Sequence, residues 1–99
     1  MLLTNELVYN MADNEVLVGK KPLMSYVLAV ITQLSEEKGE VIVKARGKSI
    51  SSAVDIVQIV KNKFAKDAKI GEVKIGTQEV EAKEGGKINV STIEISISK

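Results

Sequence analysis

Apolar and polar positions repeat with two different periods along the chain, and each change of period marks a new element. The short apolar stretch from Glu15 to Gly19 predicts a first strand. A stripe at helical spacing follows, formed by Leu23, Val27, Val30, Ile31 and Leu34. Pro22 lies in the first turn, where a helix tolerates proline best, and Gly39 is predicted to end the helix.

The second quarter of the chain repeats this order. Glu40 to Arg46 predicts a second strand, and residues 49–52 contain several serines that could cap a helix. The helical stripe after them consists of Ile50, Ala53, Val54, Val57, Val60 and Phe64. We therefore expect a second helix that ends near Ala65, with Ile56 and Ile59 as further apolar residues outside the stripe.

Two β-rich segments complete the chain, from Ile70 to Ala82 and from Lys87 to Ser98. Gly85 and Gly86 join them, and paired glycines supply the positive φ of a tight hairpin turn. In the last segment the isoleucines from position 93 alternate with polar residues, whereas Ile88 and Val90 have the opposite phase. This predicts a bulge or a twist between positions 90 and 93, and an arm, roughly residues 77–91, that projects from the core.

The order β-α-β-α-β-β predicts an α/β (α+β) two-layer sandwich: a four-stranded mixed sheet with two helices on one face and a protruding hairpin arm formed by β3 and β4. The 99 residues suit one domain. Residues 1–14 show no clean periodicity and are predicted to be a flexible N-terminal tail, with Met11 as a candidate translation start. Residues 15–99 are predicted to form the single domain.

The composition argues against an enzyme. The chain has no His and no Cys, which removes the commonest general base, the thiolate nucleophile and the usual zinc ligands. We therefore predict no catalytic residue, no metal and no cofactor. The run from Tyr26 to Ile31 is far shorter than the roughly 20 apolar residues that span a bilayer. The absence of cysteine fits a reducing compartment, and residues 1–10 have no basic segment typical of a secretory signal, so a cytoplasmic protein is expected.

Charge is distributed unevenly, although the formal net charge is only +1. Residues 41–66 contain six cations and the single acid Asp55. In an extended strand Lys44, Arg46 and Lys48 would project from one side of the backbone, because alternate side chains share a face. Lys20 and Lys21 form a second cluster, and both clusters precede helix starts, which favour phosphate oxygens.

These basic clusters leave three alternatives open: nucleic-acid binding, an ordinary solvated surface and a small anionic ligand. A Walker A phosphate loop is excluded. Gly47, Lys48 and Ser49 match its end, but position 42 is Ile where the motif needs glycine. The low aromatic content, one Phe and two Tyr, argues against a single-strand binder that stacks bases.

A resemblance to the Alba family of archaeal chromatin proteins covers residues 15–99 in order. The segments that carry it are GKKPLMSYVLAVITQL, VIVKARGKSISSAVDIVQIVKNKF, KIGTQEV and VSTIEISISK. The resemblance implies a small homodimer, able to form higher assemblies along DNA, that binds double-stranded DNA, and often RNA, without strong sequence preference. It also implies a location on the chromosome, in the nucleoid.

Particular residues match the family's functional positions. Lys20 and Lys21 match the paired lysines at the centre of its DNA-facing surface, the first of which is acetylated in some members. Lys44, Arg46 and Lys48 match its second-strand basic set. The hairpin, with Lys83 and Lys87, matches arms that follow the minor groove, and Phe64 matches an aromatic that supports contacts between dimers. Phe64 could equally be a core residue that completes the second helical stripe.

The chain departs from the family in its near-neutral charge. Its arm carries Glu79, Glu81 and Glu84 against Lys83 and Lys87. We therefore expect weaker and more salt-sensitive binding than in a basic relative. Two other functions stay open: an RNA-binding subunit of a ribonucleoprotein or translation-linked factor, and a protein-interaction module for an acidic partner.

Overall fold

The computed structural model describes residues 14–36 and 39–99, so the predicted tail lies outside the described residues apart from Asn14. The elements in chain order are β1 (Glu15–Leu17), α1 (Leu23–Ser35), β2 (Glu40–Arg46), α2 (Ile50–Ile59), β3 (Lys69–Glu81) and β4 (Lys87–Ser98). A 3-10 turn over Gly47–Ser49 leads into α2, and a π-helical turn over Val60–Phe64 continues it.

The four strands form one mixed sheet in the order β1-β2-β4-β3. β1 is parallel to β2, while β4 is antiparallel to both of its neighbours. The parallel pair is connected through α1, as a parallel connection requires a crossover. The predicted fold class is confirmed, and β1 and β3 are the two edges of the sheet.

The core lies between one face of this sheet and the two helices. Val16, Val43 and Ile95 are direct cross-strand neighbours on β1, β2 and β4, and all three are buried beneath the helices. α1 contributes Val27, Val30 and Leu34 to the same cluster. On the opposite face, which is largely polar, no helix of the described residues packs.

Both helices differ in detail from the sequence-based prediction. α1 ends at Ser35 rather than next to Gly39, because Leu34 is its last core residue and the polar residues after it have no apolar surface to bury. In α2 the buried residues are Ala53, Ile56 and Val57, whereas Val54 is 39% exposed. The predicted stripe was therefore wrong at positions 54 and 56. Val54 and Ile56 are both apolar, so the sequence does not show which of them faces the core. That depends on how the helix is rotated about its axis when it packs on the sheet.

The hairpin is present, but its irregularity lies elsewhere than predicted. Gly85 and Gly86 have φ values of 93° and 78°, which confirms the glycine turn. β4 is continuous across Val90 to Ile93, and the register shift lies on β3 between Ile70 and Val73. The change of phase in β4 has another cause: the strand outgrows the helices, so its distal part has no core to face.

Candidate nucleic-acid interface

The two predicted basic clusters lie at the same edge of the molecule. β1 and β2 are parallel, so their carboxyl ends meet, and the Val18 N–H still donates to the Lys44 carbonyl at 2.8 Å where β1 ends. The loop of residues 19–22 follows β1 and the 3-10 turn follows β2, so the two connections begin next to each other. Each then leads into a helix, so both helix N-termini also face this edge.

The loop that carries Lys20 and Lys21 is held by a side chain that the sequence analysis did not single out. The Tyr26 hydroxyl oxygen accepts hydrogen bonds from the backbone N–H groups of Gly19, at 2.9 Å, and Lys21, at 3.0 Å. Both lysine side chains are exposed, and neither forms an ion pair with a carboxylate in the part of the chain that the structure describes. The sequence contains one sign of this contact: Tyr26 lies four residues, about one helical turn, after the proline of the GKKP segment.

Arg46 lies at the end of β2 and is held by β3. Its Nη1 donates to the Gln78 Oε1 at 3.2 Å. A guanidinium has five N–H donors, so four remain available. The next residue, Gly47, has φ +58°, and a Cβ there would lie 3.3 Å from the Val90 Cγ1. The basic turn therefore rests on the base of the hairpin arm, and Lys48 is exposed beside it.

Lys44 occupies a different environment from Arg46. Both side chains lie on the open face of the sheet, but the Lys44 Nζ is 3.6 Å from the Glu15 Oε2. Its cross-strand neighbour is Glu94, which in turn lies opposite Lys74. The Lys44 charge is therefore balanced locally, and the structure separates this residue from the unpaired cations at the edge.

The hairpin arm carries little free positive charge. The Lys87 Nζ lies 3.5 Å from the Glu79 Oε1, on the same side of the arm. Lys83 is exposed near the turn and has no ion pair among the described residues. Glu81 and Glu84 are also exposed. The arm is thus more acidic than basic over its outer half.

The basic residues near the end of α2 do not join this edge. The Lys61 Nζ donates to the Ala68 carbonyl at 2.7 Å and to the Lys66 carbonyl at 3.4 Å, so this side chain closes the turn after the helix. Lys63 and Lys66 are exposed at the same end. That end is about 20 Å from the start of α2, at 1.5 Å per residue. Three of the six cations in residues 41–66 therefore lie away from this edge.

An apolar surface continues the core beyond the helices. The buried row Val16, Val43 and Ile95 extends across the sheet to Val73 on β3, which is 51% exposed. In the next row Ile75 pairs with Ile93 and is 83% exposed. β3 is the uncovered strand because α1 packs on β1 and β2 while α2 packs on β2 and β4. We call Ile70, Val73 and Ile75 the β3 apolar row.

Phe64 is not a core residue. It lies in the π-helical turn after α2 and is 53% exposed, so the interpretation of Phe64 as a core phenylalanine was wrong. Its helical phase matches the buried stripe, but of the π-helical turn only Val60 is buried. The ring is therefore available to another molecule.

Comparison with known proteins connects this arrangement with a family. The family model for Alba matches residues 14–77, which include both basic clusters and all of α1 and α2. The chain belongs to the Alba family. This confirms the resemblance seen in the sequence and agrees with the prediction that the protein is not an enzyme, since the family is one of nucleic-acid-binding proteins.

Two curated relatives are similar over most of their length. The DNA/RNA-binding protein Alba of Thermoplasma acidophilum is 49% identical over 87 residues, which cover 88% of this chain and 97% of that protein. The DNA/RNA-binding protein Alba of Methanocella arvoryzae is 47% identical over 87 residues, which cover 88% and 91%. The alignments therefore span nearly the whole of each relative.

Solved structures show the same fold. Alba from Thermoplasma volcanium superposes with a TM-score of 0.83 at 48% identity, over 87% of this chain and 100% of that one. ALBA1 from Trypanosoma brucei superposes with a TM-score of 0.71 at 24% identity, over 91% and 72%. Among the described residues no helix is long and apolar enough to cross a membrane, and no group of three or more acidic side chains could hold a metal.

Proposed function

We propose that this Alba-family protein is a homodimeric chromatin protein that binds the backbone of double-stranded DNA with little sequence preference, and that it also binds RNA. Two curated relatives carry the name DNA/RNA-binding protein, which supports both ligands. Its place in the cell would be the cytoplasm, on the nucleoid. The protein-interaction alternative has no comparable support.

One observation carries the proposal. Lys20, Lys21 and Lys48 lie in neighbouring loops at one edge, next to Arg46 at the end of β2, and none of the four has a carboxylate partner among the described residues. A solvated surface usually interleaves both signs of charge, as the open face of this sheet does. An edge with one sign, next to two helix N-termini, instead matches the phosphates of a nucleic-acid backbone. Such contacts hold the backbone but do not read bases.

Dimerisation is supported by the β3 apolar row. β3 is a long edge strand with one side unpaired, and its helix-side residues Val73 and Ile75 are exposed in the isolated chain. Exposed apolar edges of this kind normally have a partner. A second copy of the chain would cover the row and bring a second basic edge into the same particle. Phe64 would then be left for contacts between dimers.

The near-neutral charge limits the role of the arm in this proposal. Lys87 is paired with Glu79, and only Lys83 among the arm's lysines has no ion pair within the described residues. We propose that the arm contributes less to binding than the edge does.

Lys20, which is exposed and has no ion pair with any described residue, is the lysine that we propose for acetylation. Peptide mass spectrometry of the protein from its native source would detect or exclude the modification.

The salt dependence of duplex binding tests the proposed function. If two copies of the four edge cations neutralise phosphates, log K should fall linearly with log salt concentration, with a slope no steeper than about −7, at about 0.9 per contact. The measurement is fluorescence anisotropy with duplexes of unrelated sequence. Equal affinity for all duplexes is expected. Affinity that does not respond to salt, or that depends on one sequence, contradicts backbone binding.

A comparison of Arg46 with Lys44 tests which cations face the phosphates. Arg46→Ala should weaken duplex binding about tenfold per dimer, since each exposed ion pair is worth up to about 1 kcal/mol. Lys44→Ala removes the same formal charge, but the Lys44 ammonium is already paired with Glu15. This substitution should therefore change affinity less than about threefold. The measurement is anisotropy at one fixed salt concentration. A larger loss from Lys44→Ala than from Arg46→Ala would contradict the proposal that the unpaired cations at the edge face the phosphates.

RNA binding needs its own measurement, because the edge cations do not distinguish the two backbones. Competition of labelled duplex DNA with duplex RNA and with single-stranded RNA gives the relative affinities directly. If RNA competes at least as well as DNA, the ribonucleoprotein function becomes the better description. If neither nucleic acid binds and an acidic protein does, the interaction module replaces both.

A further inference from the structure

Tyr26 connects the first helix with the loop of residues 19–22. Its ring is half-buried against the core, whereas its hydroxyl lies at the loop and accepts the Gly19 and Lys21 N–H groups at 2.9 and 3.0 Å. The two donors flank Lys20. A single oxygen atom thus fixes the backbone on both sides of the first lysine and at the second.

Little else in the described part of the chain holds this loop. The last hydrogen bond from β1 to the sheet is the one from the Val18 N–H to the Lys44 carbonyl. Pro22 has no N–H, and α1 begins after it without a side-chain cap. Apart from the hydroxyl, this segment has the φ restriction of Pro22 and the hydrogen bond from the Ser25 N–H to the Pro22 carbonyl at 3.0 Å, both at its helix end. The backbone at Gly19, Lys20 and Lys21 therefore depends on Tyr26.

We propose that Tyr26 is a positioning residue for phosphate binding, which acts by holding Lys20 and Lys21 in the orientation that the backbone of a nucleic acid requires. This inference rests on the proposed function. If the loop were unrestrained, binding would have to order it, at a cost in conformational entropy. A loop that is already fixed avoids that cost. Since the hydroxyl already accepts the Gly19 and Lys21 N–H groups, the loop presents side-chain charge, not those backbone donors, to the phosphate.

The test is a double-mutant cycle on the full chain with random-sequence duplex DNA. Tyr26→Phe keeps the ring and removes the hydroxyl, and it should weaken binding about threefold to tenfold, in line with the loss of hydrogen bonds of ordinary net strength. In the Lys20→Ala/Lys21→Ala background the same change should have no further effect, because the lysines through which Tyr26 acts are gone. A merely structural role for the hydroxyl would weaken binding equally in both backgrounds.

Two measurements keep the result independent of folding. Thr32→Val removes a hydroxyl from the same helix, one that donates to the Leu28 carbonyl, and should leave binding unchanged. Amide hydrogen exchange should accelerate at Gly19 and Lys21 in Tyr26→Phe while the core amides keep their protection. If exchange at those two amides does not change, Tyr26 does not hold the loop and the inference is wrong.

The failure of this inference can be distinguished from the failure of the proposed function. If the wild-type chain binds duplex DNA with the expected salt dependence and Tyr26→Phe binds equally well, only the role of Tyr26 is overturned. If the wild-type chain does not bind duplex DNA or RNA, both are overturned. A loss of binding that is additive with the lysine changes overturns positioning, because the hydroxyl then acts independently of the two lysines.

Discussion

Replacement of Lys20 and Lys21 together by alanine is expected to weaken duplex binding about a hundredfold, since a dimer loses four exposed ion pairs of up to about 1 kcal/mol each. The slope of log K against log salt should also become shallower by about 3.6, at about 0.9 per lost phosphate contact. The effect should be the same for every duplex sequence. Fluorescence anisotropy over a salt series measures both quantities, with a duplex too short for two dimers.

A matched control separates position from charge. Lys63→Ala/Lys66→Ala removes the same formal charge at the far end of α2, where both side chains are exposed. Binding should change little, and the melting temperatures of both variants should stay close to that of the wild type. If the two double variants weaken binding equally, the edge has no special role and only the net charge matters.

The second large effect concerns the β3 apolar row. Val73→Gln/Ile75→Gln should raise the dimer dissociation constant at least a hundredfold, because burial of each side chain is worth about 1.5–3 kcal/mol and the contact occurs once per copy. Glutamine leaves the charge unchanged. The isolated chain should fold as before, since Ile75 is already 83% exposed. Sedimentation equilibrium gives the constant, and DNA binding should fall with the dimer population.

Two variants serve as controls for this experiment. Ile88→Gln changes an apolar residue that is 52% exposed on the arm, away from the row, and should leave the dimer intact. Phe64→Ala should also keep the dimer but reduce cooperative assembly on long DNA. A wild-type chain that sediments as a monomer, or a Val73/Ile75 variant that stays fully dimeric, would remove the β3 row as the interface.

Much of the fold follows from the order of apolar residues along the chain. The period of two over Ile93, Ile95 and Ile97 and the period of nearly four over Leu23, Val27 and Val30 reflect local backbone geometry, so the order and type of the strands and helices could be predicted, although not every bound or buried position. The paired glycines likewise identified the hairpin turn. The family signature lies in contiguous segments and was therefore visible in the sequence.

The site was predicted only as a set of residues, because a sequence shows which cations exist but not what lies opposite them. Lys44 and Arg46 are equivalent in the pattern, yet strand order places Glu15 beside the first and Gln78 beside the second. Lys61 belongs to the basic segment but closes a turn through carbonyls several residues later. Each outcome depends on long-range neighbours.

The sequence by itself determined the elements, the hairpin, the family and the list of cations, since these depend on local periodicity and on contiguous motifs. The tertiary structure decided which cations share an edge and which are already paired. It also decided that the Tyr26 hydroxyl holds the loop that carries Lys20 and Lys21. It further decided that the helices pack on the other three strands, so that Val73 and Ile75 on β3 are left uncovered. These features arise from the pairing of strands distant in sequence, and no local pattern encodes that pairing.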